Sequence, residues 1–164
     1  MAPGAAPAAL RWLEGSTVAA AMRESIWLYP AVETVHLLGV TVLVGAAFMF
    51  DLRLLGVSRH LPVIGLASHL LAWSRRGAAV VVPTGLLLLA PHATRLWENP
   101  AFQVKLLLVA LAGANALAFH LLTLRNVAVW EAAVAPPVAA RAAALISLAL
   151  WTGAIVCGRL LAYV

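Results

Sequence analysis

From Ala101 to Leu124 the chain runs without a break in apolar character, with Lys105 near its start, His120 near its end and Asn115 the one strongly polar side chain between them. About 24 residues rising ~1.5 Å each reach roughly 36 Å, longer than the ~30 Å hydrocarbon core of a bilayer. A helix of that length and composition has to cross a membrane. Ionisable groups within such a span are expensive and point to function by default. The rest of the chain therefore reads as helices packed around this one, and its polar residues sort by the depth they reach.

Composition agrees. Of the 164 residues, 64% are hydrophobic and 10% charged, with a mean hydropathy of +0.99, whereas a soluble domain carries about 25% charge. The expected fold is all-α: an integral membrane four-helix up-down-up-down bundle with interfacial helices, forming a single transmembrane domain over 1–164. One cysteine, Cys157, leaves no disulfide framework and no cysteine-based zinc motif. The net charge of +5 does not indicate nucleic acid, because the basic residues are scattered along the chain without interleaved aromatics.

Met1 to Ala9 lacks the basic start and long apolar core of a signal peptide and is expected to be retained. Over 10–26, Arg11, Glu14, Arg23 and Glu24 interrupt the apolar residues, which suits one interfacial amphipathic helix, with Trp12, Trp27 and Tyr29 at headgroup depth. The first span is expected over about 30–52. It opens at Pro30, carries Glu33 and His36 as neighbours on one face, and is closed by Asp51 and Arg53. A basic turn, Gly56 to Pro62, holds Arg59 and His60.

The second span, about 63–90, carries Arg75 and Arg76, and the spacing places His69, Trp73 and Arg76 on one face. Pro83 predicts a kink. Pro91 to Pro100, with His92, reads as an interfacial loop, and Asn99-Pro100 starts the third span, 101–124. A second interfacial helix is expected at Val127 to Ala135, anchored by Trp130. The fourth span, 138–163, reads as a packing helix whose Gly153 and Gly158 permit close contact. His60 and His92 read as solvated or headgroup-facing loop histidines.

Charges orient the bundle. The end bearing the second-to-third-span loop holds Arg11, Arg23, Arg95, Lys105 and Arg159 against Glu14, Glu24, Glu33 and Glu98. The other end holds Arg53, Arg59, Arg75, Arg76, Arg125 and Arg141 against Asp51 and Glu131. The positive excess marks the second end as cytoplasmic, with both termini outside a bacterial inner membrane.

Two polar groupings follow from this threading. His69 and His120 share the cytoplasmic half on consecutive helices and are candidates to clamp one haem iron, with Arg75 and Arg76 meeting its propionates. The alternative is that each makes an interhelical hydrogen bond. In the outer half, His36 and Lys105 lie at matching depth, with Glu33 placed to orient the imidazole. That site suits a metal, a proton relay or a quinone headgroup, unless Glu33 and Lys105 merely pair.

The pattern resembles the copper-resistance D (CopD) membrane domain over about Glu33 to His120. His36 is followed nine residues later by Gly45, Trp73-Ser74-Arg75 opens the next helix with Thr84-Gly85 further on, and Lys105 precedes Asn115 by about three turns. It also resembles the HemJ-type protoporphyrinogen oxidases, and over its length bacterial four-helix membrane proteins of no assigned activity. The HemJ-type resemblance implies haem b held by a first-helix histidine and a third-helix lysine, here His36 and Lys105. Methionines are scattered rather than arranged as a copper relay.

The resulting expectation is a membrane-embedded haem b redox protein with one haem or two. It would exchange electrons with a quinone or a membrane or periplasmic oxidoreductase, the other partner expected being a second copy of the chain in a homo-oligomer. The CopD resemblance implies copper transport past His36 and Glu33 as the alternative, and the HemJ-type resemblance an oxidase.

Overall fold

A computed structural model describes residues 7–126, 136–161 and 163. Among these the protein is all-helical. The order is α1 (Ala8–Glu14), α2 (Thr17–Glu24), α3 (Leu28–Leu55), α4 (Val63–Leu89), a 3₁₀ turn (Ala90–His92), α5 (Ala93–Glu98) and α6 (Pro100–Ala118). A π-helical segment (Phe119–Thr123) and a 3₁₀ turn (Leu124–Asn126) extend α6, and α7 (Val138–Leu160) closes the fold. Four helices, Leu28–Leu55, Val63–Glu98, Pro100–Thr123 and Val138–Leu160, are long and apolar enough to cross a membrane, which makes this a membrane protein.

The helix ends have local causes. Gly56, at φ 107°, ends α3 in a left-handed cap in which its own N–H bonds the Arg53 carbonyl and the Val57 N–H bonds that of Leu52. Asn99 starts α6: its side-chain oxygen accepts from Ala101 N–H at 2.8 Å, and Pro100 follows where its missing N–H costs nothing. α4 continues through Pro83 without interruption.

Two segments differ from the sequence expectation. The interfacial stretch 10–26 is two helices rather than one, because Ser16 breaks from helical geometry and its hydroxyl caps the Ala19 N–H at 3.2 Å. Pro91 to Pro100 is helical rather than a loop. There the chain turns through Ala90–His92 and α5, and Pro91, Ala93 and Ala90 are all buried. The interfacial helix expected at 127–135 lies outside the described residues.

The bundle order is set by packing rather than by chain order. α3 packs along α4 on one side and α7 on the other, and α6 packs along α7. α4 and α6, consecutive spans, do not pack along each other. One buried cluster joins Phe50 and Leu54 of α3 to Val63 and Ala67 of α4, Phe119 after α6, and Ala140 and Ala144 of α7. It therefore gathers the ends of α3 and α6 with the starts of α4 and α7, as antiparallel threading requires. Phe50 and Phe119 meet edge to face with centroids 5.7 Å apart.

At the same end lie Asp51 and Arg53, in the last turns of α3. Both are buried, and the Arg53 guanidinium is spent on the carbonyls of Leu61 (2.8 Å) and Arg59 (3.1 Å), tying the α3–α4 turn down.

At the opposite end α1 and α2 clasp the α4–α5 junction. Glu14 accepts from both the Thr94 hydroxyl (2.6 Å) and the Thr94 N–H (2.9 Å), and Arg23 donates to the carbonyls of Glu14 and Pro91. The Thr94 hydroxyl, and after it the Thr94 N–H, hold the Glu14 carboxyl below the usual glutamate range. Because the folded value is the lower one, the clasp is fully stabilising above the ordinary glutamate value of about 4.3 and weakens as pH falls through the folded value. Hydrogen exchange at Thr94, corrected for intrinsic rates, should lose protection over that acid range in the wild type. Glu14→Gln should show no such step; identical profiles would rule the clasp out.

Candidate functional site

Four helices converge in the half of the bundle that holds the starts of α3 and α6 and the ends of α4 and α7. His36 of α3 is half-buried, and its Nδ1 lies 2.9 Å from the Thr84 hydroxyl oxygen of α4. The Thr84 hydroxyl has a single hydrogen, and that hydrogen is engaged by the Val80 carbonyl at 2.6 Å. Thr84 must therefore accept from His36. This places a proton on Nδ1, so that in the neutral ring Nε2 carries the lone pair, the arrangement in which a histidine ligates a metal while its other nitrogen is held by a neighbour.

Gly85 lets the imidazole lie against α4, since a Cβ there would meet His36 Cε1 at 3.3 Å. Across the bundle, Lys105 of α6 is half-buried, with its charge close enough to act on His36. Its Nζ rests against α7 beside Cys157, where a Cβ on Gly158 would meet it at 3.6 Å. No hydrogen bond or ion pair ties Lys105 down among the described residues. Glu33 is exposed one turn before His36 and does not pair with it or with Lys105; the ring is oriented by Thr84 instead.

The remaining candidates lie apart from this convergence. His69 on α4 and His120 in the π-helical segment are both exposed, and their helices do not pack along each other. Arg75 and Arg76 are exposed too, with the Arg76 guanidinium 4.8 Å from the centre of the Trp73 ring, as expected of neighbours on one face. Asn115 donates from its amide to the Ala143 carbonyl at 3.0 Å, joining α6 to α7. His60 and His92 are exposed at turns. Among the described residues no three His, Cys, Asp or Glu side chains are grouped to hold a metal ion. The nitrogen donors of the convergence are those of His36 and Lys105, with the Cys157 thiol beside the amine.

Sequence reasoning reached His36 and Lys105 through matching depth, but not the role of Thr84. The signal was present: a threonine one residue past a mid-helix proline, in a span otherwise nearly all aliphatic on that stretch, is a polar group that needs a partner.

Fold and site together define a four-helix membrane bundle with an imidazole and an amine in the same half. A family model described as a family of unknown function, DUF6644, matches residues 10–164, and the chain belongs to that family. No curated protein and no solved structure matches it.

Proposed function

We propose that the protein is a membrane-embedded haem b redox protein that exchanges electrons with a quinone or a partner oxidoreductase, its iron held between His36 and Lys105. The observation that carries this reading is the His36–Thr84–Val80 chain of hydrogen bonds, which holds the ring through Nδ1 and leaves ligation to Nε2. The lysine fits as well. A lysine ligates only through a neutral amine, and a carboxylate partner would keep the proton on; Lys105 has none among the described residues. When bound, haem b supplies a one-electron iron couple whose potential is set by its axial ligands and their neighbours. The chain's own contribution is to fix the tautomer of His36 through Thr84 and to keep the Lys105 amine away from carboxylates. The pair is the one implied by the HemJ-type resemblance. His69 and His120, both exposed, do not support a second haem in the same way.

An absorption spectrum and haem assay of the purified protein test the reading. One haem b per chain, with low-spin bands that sharpen on reduction, is the expected result. Protein that binds no haem, even when titrated with it in detergent, would end the proposal.

The charge distribution supports an orientation in a bacterial inner membrane with both termini outside, which places this site on the outer side. Single cysteines introduced at Arg59 and at Glu131, on a Cys157→Ser background, should react with impermeant maleimide only from the cytoplasmic face. Labelling of both from outside would invert the bundle.

A further inference from the structure

Asp51 lies four residues, about 6 Å of helix rise, before the end of α3 and is only 6% exposed, next in the chain to Phe50 of the buried cluster at that end. The polar side chain that acts on its carboxyl is the Ser147 hydroxyl of α7. Its second carboxyl oxygen, Oδ2, is buried without a hydrogen-bond partner among the described residues. Among the described residues no cation answers it from any element packed nearby. On its own helix Arg53 is spent on the carbonyls of Leu61 and Arg59. On α4 His69, Arg75 and Arg76 are exposed, as are His120 after α6 and Arg141 on α7, and none of them acts on the carboxyl.

A carboxylate without a counter-ion in such surroundings loses far more hydration than one hydroxyl returns, whereas a carboxylic acid needs only hydrogen-bond partners. A cation in place of a proton would need several more oxygen ligands. Ser147 is the one side chain that favours the charged carboxyl. The nearby Asn115 turns its amide to the Ala143 carbonyl, one α7 turn before Ser147.

We propose that Asp51, with its unpartnered Oδ2, is a proton-binding site within the bundle, its carboxyl taking up one proton from solvent and returning it. The proton is the only species gained or lost, and the carboxyl alternates between acid and carboxylate. The proposal rests on burial and on the orphaned oxygen, and it is independent of the haem reading.

Infrared spectroscopy of the full chain in lipid vesicles tests it. At neutral pH the wild type should show the C=O stretch of a carboxylic acid, moving to lower frequency in D₂O and absent from Asp51→Asn, a shape-conserving change. In Ser147→Ala the band should persist at a shifted frequency, which keeps the test decisive if Asp51→Asn does not fold. Absence of an acid band from the wild type at neutral pH would overturn the proposal. Its conversion to a carboxylate band on adding sodium or potassium at constant pH would also overturn it, assigning the site to a metal cation instead.

Discussion

His36→Ala and Lys105→Met should each abolish the binding of one and the same haem, converting a low-spin spectrum to one without that component. The fold offers little reason for either change to act indirectly. Removing the imidazole leaves the Thr84 hydroxyl still bonded to Val80, so α4 keeps its own hydrogen bonds. Lys105→Met preserves the length of a side chain that makes no hydrogen bond or ion pair among the described residues. Loss of haem is expected to be effectively complete for the two ligands. For Thr84→Val, which keeps the ligand and removes the group that fixes its tautomer, affinity should fall about 10–100-fold. Haem content and reduced-minus-oxidised spectra of the three variants check the scheme. Loss in His36→Ala alone would assign the second ligand elsewhere, and undiminished haem in both ligand variants would make the pair a packing contact.

How far the sequence foresaw this arrangement varies with the kind of information each feature needs. Spans follow from length and hydropathy, and their ends from local chemistry, so Asn99-Pro100 and Gly56 mark boundaries that the structure keeps. Depth also follows, because counting residues from a helix start needs no tertiary knowledge; that is why His36 and Lys105 were placed at one level. Facing is different. α3 is apolar on every side, so no stripe in its pattern says which residues turn inward, and Asp51 reads as a rim charge although it is buried between α3 and α7.

Neighbourhood was equally hidden. Consecutive spans in a bundle are usually adjacent, and the His69–His120 clamp assumed so. Here α3 and α7 lie against each other and leave α4 and α6 on opposite flanks. At the α3–α4 contact small residues, Gly77 above all, let the two helices approach closely.

That contact makes Gly77→Val the substitution expected to damage the fold most. A Cβ on Gly77 would sit 2.6 Å from the Leu43 backbone nitrogen and 2.9 Å from its Cα, atoms that cannot swing aside as a side-chain tip can. The Ser74 hydroxyl, one turn earlier on α4, reaches the Leu43 carbonyl at 3.3 Å, so the same stretch of α3 is held at two points. Relief requires α3 and α4 to move apart, and that separation would also act on Gly39 against Val80 and Val81 and on the His36–Thr84 hydrogen bond further along. Overpacking of this kind costs about 1–3 kcal/mol even where side chains can adjust, so Gly77→Ala should fall in that range and Gly77→Val beyond it. Gly45 and Gly113 provide the control, since a Cβ at either meets nothing within 4 Å. Alanine there should be neutral, or stabilising by about 0.5–1 kcal/mol through helix propensity. Unfolding followed by circular dichroism in mixed micelles of rising SDS fraction measures all four. If Gly77→Ala matches Gly45→Ala in stability, the two helices are farther apart than the Leu43 contact requires, and the setting of His36 against Thr84 loses its support.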